Sequence, residues 1–131
     1  MNVLEKLVFE SEYPEITKKI YNKSIICVYP FGTISRTNNR IHINILKEYK
    51  KRWINKQVLT DIHNLIICII SKYNKVYAIC SSTEYSIIKL IKLFCFNFEK
   101  SGYYNEKHFN LYSLGGINNV WFLWWCIRFW S

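Results

Sequence analysis

His42 is the side chain best suited to move a proton at neutral pH, because an imidazole titrates near pH 6.5 or so and can take a proton from an amine. It lies in the run Arg40 to Leu46 (RIHINIL), where Ile41, Ile43 and Ile45 share one face of an extended chain and His42 and Asn44 share the other. Its candidate role is that of a general base. The plainer alternative is an exposed or hydrogen-bonded strand histidine, since nothing beside it in sequence orients its ring. Immediately downstream, Lys47, Lys50, Lys51, Arg52 and Lys56 crowd into ten residues. Placed before a helix, such a cluster can hold phosphate through its charge and the helix-start amides; a solvated basic loop is the equal alternative.

Other reactive side chains form no constellation. His42, His63 and His108 are far apart in sequence, and Cys27, Cys68, Cys80, Cys95 and Cys126 are scattered singly, so no metal site is expected. The odd number of cysteines points to a reducing compartment. Cys95, between Phe94 and Phe96, reads as packing rather than as a nucleophile, because apolar surroundings raise a thiol's pKa. His42-Ile43-Asn44 is similar to half of the His-hydrophobic-His metal motif of rolling-circle replication nucleases, and the second histidine is missing.

The elements that must position these residues follow from periodicity. Two short helical pieces lie between Asn2 and Tyr21, broken at Pro14. Ser24 to Phe31 and Arg40 to Leu46 read as a β-hairpin turning over Arg36 to Asn39. Ile54, Val58, Leu59, Ile62, Leu65, Ile66, Ile69 and Ile70 recur at the spacing of one helical face. Lys75 to Cys80 (KVYAIC) is a strand, and Ser81 to Glu84 (SSTE) has the form of a capping box opening a second helix with Ile87, Ile88, Ile91 and Phe94 on one face. Phe96 to Tyr104 and Lys107 to Leu114 form a terminal hairpin. Beyond Gly115-Gly116, the stretch Ile117 to Ser131 concentrates four of the five tryptophans. The division expected is one domain over 1–114 and a Trp-rich tail over 115–131.

Length and charge bound the rest. With 131 residues, 50% hydrophobic, the chain can fill one core. Its net charge of +9 attracts phosphate on nucleic acid, coenzyme A or an anionic membrane. Only four of the 18 basic residues are arginine, so forked contacts to bases have little to work with. The richness in Lys, Asn, Ile and Tyr matches A/T-rich codons, as in a viral or parasitic genome. No signal peptide is expected at the N-terminus, where four glutamates interrupt the apolar residues. The longest aliphatic run, Leu65 to Ile70, is much shorter than the ~20 residues that span a bilayer. A cytoplasmic location follows, in a host cell or a virion if the genome is viral. Trp121, Trp124, Trp125 and Trp130 are too apolar to stay exposed on a small monomer, and are expected to meet the parent domain, a protein partner or a membrane surface.

Over about Arg40 to Leu114 the order of elements resembles the second half of a GNAT acyl-CoA N-acyltransferase. IHINILKEYKKRWINKQVL is similar to that family's fourth strand, pyrophosphate loop and third helix. KVYAICSSTEYSIIKLIKLFCFNFEKSGYY is similar to its fifth strand, fourth helix and the "KLGF" turn into its sixth strand. The resemblance implies a mixed α/β, mostly antiparallel sheet with helices on both faces, and two parallel strands that splay apart to admit the thioester arm of acetyl-CoA. It places the cofactor loop on Lys47, Lys50, Lys51, Arg52, Trp53, Ile54, Asn55 and Lys56.

The family's glycine-rich loop pattern falls on Lys50, Trp53 and Asn55, so larger side chains fill both small positions; the indole should obstruct the phosphates or divert the loop. The strand carboxylate used by many members is absent from Ile41 to Leu46, Ile91 stands at the tyrosine that protonates the departing thiolate, and Cys95 replaces the "KLGF" glycine. Tyr85 lies too early in the helix to replace that acid. The reading is a divergent GNAT-fold protein of a virus or phage, with weakened or lost acetyl-CoA-dependent activity and a structural or accessory role. The alternatives are a working N-acetyltransferase and a basic nucleic-acid-binding accessory protein.

Overall fold

The computed structural model describes residues 2–115 apart from residue 12. Along the chain run α1 (Val3–Glu10), α2 (Pro14–Ser24), β1 (Ile25–Tyr29), β2 (Gly32–Thr37), β3 (Arg40–Ile45), a 3-10 turn (Lys47–Tyr49), α3 (Lys56–Tyr73), β4 (Lys75–Ser81), α4 (Tyr85–Leu93), β5 (Asn97–Tyr104) and β6 (Lys107–Gly115). The strands form one sheet in the order β1-β2-β3-β4-β6-β5, in which every neighbouring pair is antiparallel except β3 and β4.

Local chemistry explains the boundaries. Asn2 caps α1 by accepting from the Glu5 amide at 2.8 Å, and Pro14 opens α2 where an amide hydrogen is not needed. Asn55 caps α3 by accepting from the Val58 amide at 2.9 Å, and Asn74, at φ 65°, ends it in the left-handed conformation that asparagine tolerates. Between β5 and β6, Asn105 and Glu106 both have positive φ, as a two-residue hairpin turn requires. The stripe of α3 buries Val58, Ile62, Leu65, Ile66, Ile69 and Ile70, each worth about 1.5–3 kcal/mol if fully removed from water.

Two sequence expectations change. The N-terminal hairpin is a three-stranded meander, for β2 occupies Gly32–Thr37 and the second turn is confined to Asn38-Asn39. Thr33 and Ser35 are fully buried on one face of β2, so its buried positions did not read as apolar. Gly32 starts that strand because a Cβ there would meet the Asn44 carbonyl oxygen at 2.2 Å. The capping box also fails. Ser81 Oγ turns to Thr83, Glu84 forms no cap, and its carboxylate is engaged elsewhere.

Pairing assigns the faces. Ile34, Ile41, Ile45, Val76, Ala78, Tyr112 and Leu114 share a core with the buried stripes of α3 and α4. The other face of β1 and β2 is covered by α1 and α2, with Leu7, Tyr21 and Leu46 as a smaller core. His42 and Asn44 lie on that second face, opposite Ser35 and Thr33. No described helix is long and apolar enough to cross a membrane.

Candidate functional site

The parallel pair β3 and β4 is paired only at Arg40 with Tyr77 and Ile41 with Ala78. Beyond these residues the two strands separate toward their C-terminal ends, the end at which parallel strands in open α/β sheets present ligand crevices. A cavity of about 590 Å³ opens there. Its lining takes Ile41 and Ile45 from one face of β3 and His42 and Asn44 from the other, so it passes through the sheet. Ile87 and Ile91 of α4 border it on the α3 side, and Tyr13, Thr17 and Tyr21 border it on the α2 side.

The basic segment after β3 and the turn after β4 meet at the mouth of this gap. Lys50 Nζ lies 2.6 and 2.8 Å from the two carboxylate oxygens of Glu84. Three residues on, Trp53 is 2% exposed and donates from Nε1 to Ser86 Oγ at 3.2 Å. The indole is thus a core residue that pins the segment to the start of α4. It has turned away from the solvent side, where the family pattern would have it face phosphate. Asn55 spends its side chain on the cap of α3, and Lys47 donates its amide to Glu10 Oε1 at 2.9 Å.

Of the predicted cofactor-loop residues, Lys47 and Lys50 line the cavity together with His42. Lys51, Arg52, Ile54 and Lys56 are exposed outside it, the Arg52 guanidinium resting 5.2 Å from the Tyr49 ring centre. His42 has its Nε2 buried without a hydrogen-bond partner. Burial, and then the nearby charge of Arg40, hold its pKa below the ordinary histidine value, so the ring is neutral at pH 7 and keeps a lone pair for an acidic proton. Ile91, at the family's acid position, does border the cavity, as an aliphatic wall. Tyr85 is 76% exposed and outside it. Cys80 also lines the cavity, but burial first and the Glu84 charge second push its thiol up to about 11, which leaves little thiolate. Cys95, which stands where the resemblance expects a glycine, sits at φ 67°, the conformation a glycine takes without strain. Among the described residues no three His, Cys, Asp or Glu side chains converge as metal ligands.

Sequence reasoning missed Glu84, Glu10 and Tyr21. In the sequence Glu84 fits the pattern of a helix cap, while its place just beyond β4, at the C-terminal end of a strand parallel to β3, is the signal that points to the site. Glu10 and Tyr21 come from the helical region with the weakest pattern. The expectations for Trp121, Trp124, Trp125 and Trp130 lie outside the described residues.

The chain matches no known family model, and none of the curated proteins matches it in sequence. Solved structures do resemble it. A probable acetyltransferase superposes with a TM-score of 0.52 at 18% identity, over 81% of this chain and 70% of the other. A probable acetyltransferase of the GNAT family from Chromobacterium violaceum ATCC 12472 superposes with a TM-score of 0.56 at 10% identity, over 92% and 83%. With the single parallel pair, its splay and the α3 crossover, these likenesses establish that the chain has the fold of the GNAT acyl-CoA N-acyltransferases.

Proposed function

We propose that this is an acyltransferase-like protein whose hold on acetyl-CoA is weakened, so that the scaffold serves an accessory role. The observation that carries the reading is the tie across the mouth of the cleft, Lys50 to Glu84. At the phosphate end of such a site the protein should offer free donors and positive charge. Here the Lys50 charge is already matched by a carboxylate, Glu84 adds a negative charge that would repel phosphate, and the Asn55 side chain occupies the Val58 amide. The gap between the strands is roomy enough for a slender arm, whereas these residues do not fit a pyrophosphate. The bias toward Lys, Asn, Ile and Tyr supports an A/T-rich genome, of the sort many viruses and phages carry.

Isothermal titration of acetyl-CoA into wild type and Glu84→Gln tests the reading. The variant frees Lys50 and removes the repelling charge, and is expected to bind roughly 5- to 30-fold tighter, the equivalent of about 1–2 kcal/mol. Micromolar binding by wild type, unaltered in Glu84→Gln, would overturn it.

One observation favours a second reading, an active N-acyltransferase. The neutral His42 ring, with Nε2 buried and unpartnered, could accept a proton from an amine lodged in the cavity. Acetyl transfer to small amines by wild type, lost in His42→Ala while the fold is kept, would establish this reading in place of the first.

A further inference from the structure

We propose that the outer edge of β5 pairs with the same edge of a second copy of this chain, extending the sheet across a two-fold axis at Gly102. β5 ends the sheet, and among the described residues it pairs only with β6. All eight of its residues, Asn97–Tyr104, are exposed, the aromatic ones included: Phe98 is 58%, Tyr103 78% and Tyr104 53% exposed. Such an outer strand offers its outward amides and carbonyls to another strand. None of its residues lines the cavity between β3 and β4. The opposite edge of the sheet is less suited to pairing. β1 has only five residues, its register shifts between Ile25 and Cys27, and Pro30 follows it.

The hairpin register sets which groups point outward. Its register shift falls between Phe98 and Lys100, so Lys100 to Tyr104 is regular strand. The two-residue turn at Asn105-Glu106 closes on Tyr104 and Lys107 as a hydrogen-bonded pair, and alternation from there turns the amides and carbonyls of Tyr103 and Ser101 away from β6. A two-fold axis at Gly102 sets Ser101 against the partner's Tyr103, so that each outward amide meets an outward carbonyl. Gly102 then faces its own copy at a non-hydrogen-bonded position, where Cα atoms lie roughly 4.5 Å apart. That accounts for a residue the single chain does not explain. A Cβ on Gly102 would meet nothing within 4 Å and its φ is not left-handed, yet glycine weakens a strand interior and often marks the approach of another backbone. On the same face Lys100 comes beside the partner's Tyr104, a cation next to an aromatic ring.

Charge favours a second copy over an anionic partner. The whole chain carries +9, but within Asn97 to Gly115 the charges cancel, Glu99 and Glu106 against Lys100 and Lys107, so this edge does not repel its copy. Strands this short bury less than the ~1,200 Å² of a lasting complex, and a dimer exchanging with monomer at about 10–100 μM is expected. The proposal stands independently of acetyl-CoA binding.

Sedimentation velocity of the full chain from about 2 to about 200 μM tests this. Wild type is expected to pass from monomer to dimer over that range, and the β5 amides to gain protection from hydrogen exchange as it does. Gly102→Lys, which sets two ammonium groups against each other across the axis, should weaken the dimer by at least ~10-fold with far-UV circular dichroism unchanged. Gly102→Glu should do the same, and serves alone if the lysine variant fails to fold; an equal mixture of the two variants should restore the dimer. A wild type that stays monomeric throughout would overturn the proposal, as would a dimer that both variants leave intact or a mixture that stays monomeric. So would β5 amides protected at every concentration in a monomer, since a segment of the same chain would then cover the edge.

Discussion

Replacing Trp53 separates two opposed physical roles for one side chain. If the indole lay along a phosphate loop, Trp53→Ala would cost little stability and would open the loop. In the structure it is 2% exposed within the core shared by the sheet, α3 and α4. Truncating a buried tryptophan to alanine costs about 3–5 kcal/mol, and the bond to Ser86 Oγ contributes about 0.5–1.5 kcal/mol of stability in its own right. Against a total of roughly 5–15 kcal/mol for a domain, Trp53→Ala should leave a marginal protein. At this size its melting temperature should fall by about 10–20 °C. Trp53→Phe keeps most of the packing but loses the donor, and is expected to cost about 1–2 kcal/mol. Ser86→Ala combined with Trp53→Phe should then add little further loss, because both remove the same bond. Urea unfolding followed by far-UV circular dichroism is the assay, since tryptophans beyond Gly115 would confuse fluorescence. A Trp53→Ala protein within about 1 kcal/mol of wild type would refute the core assignment and return the indole to the loop.

Cys95→Gly should stabilise the chain by about 1 kcal/mol, because φ 67° strains a cysteine and suits a glycine; a rise in melting temperature is the readout, and a fall would mean that the thiol contributes more than the strain costs. His42 and His63 have folded pKa values held below the ordinary value, chiefly by burial, so the unfolded chain takes up protons first. Their stabilisation is therefore complete above about pH 6.5 and declines as pH falls from there through the lower folded values. His42→Gln should shrink the difference in unfolding free energy between about pH 7.5 and about pH 5.5; an undiminished difference would clear His42 of the effect. Glu84→Gln should change stability by less than about 1 kcal/mol, because both partners of the Lys50 pair are partly exposed, and a larger loss in urea unfolding would make the pair a structural element instead.

The elements that were legible in the sequence are those whose local chemistry and tertiary placement agree. The isoleucine stripe of α3, the alternation of β3 and the KVYAIC strand each bury the residues their periods mark. The one strand that was missed, β2, buries Thr33 and Ser35 beneath α1 and α2, where hydroxyls take positions that usually announce themselves with aliphatics. A polar residue with no exposure cannot be distinguished from a turn residue by type alone. Likewise, Ser81 to Glu84 satisfies the local rule for a cap, but Glu84 has a stronger attraction available in Lys50, a partner brought near only when β3 and β4 lie side by side.

The same reasoning explains why the candidate site was half legible. Charge could be counted along Lys47 to Lys56, yet its destination could not, since one cation of the cluster is matched by a carboxylate 34 residues away and others face water. Trp53 illustrates the point most directly. Laid on a family pattern, it stands where a small residue belongs and reads as an obstacle to a ligand. In the folded chain it draws the loop inward and anchors it to α4 at Ser86, while Asn55 takes over the helix amide. The segment is thus tied at both ends by its own side chains. The fold places both side chains by contacts that a linear pattern does not contain, which is why a shared architecture leaves the chemistry of a site to be argued from its own residues.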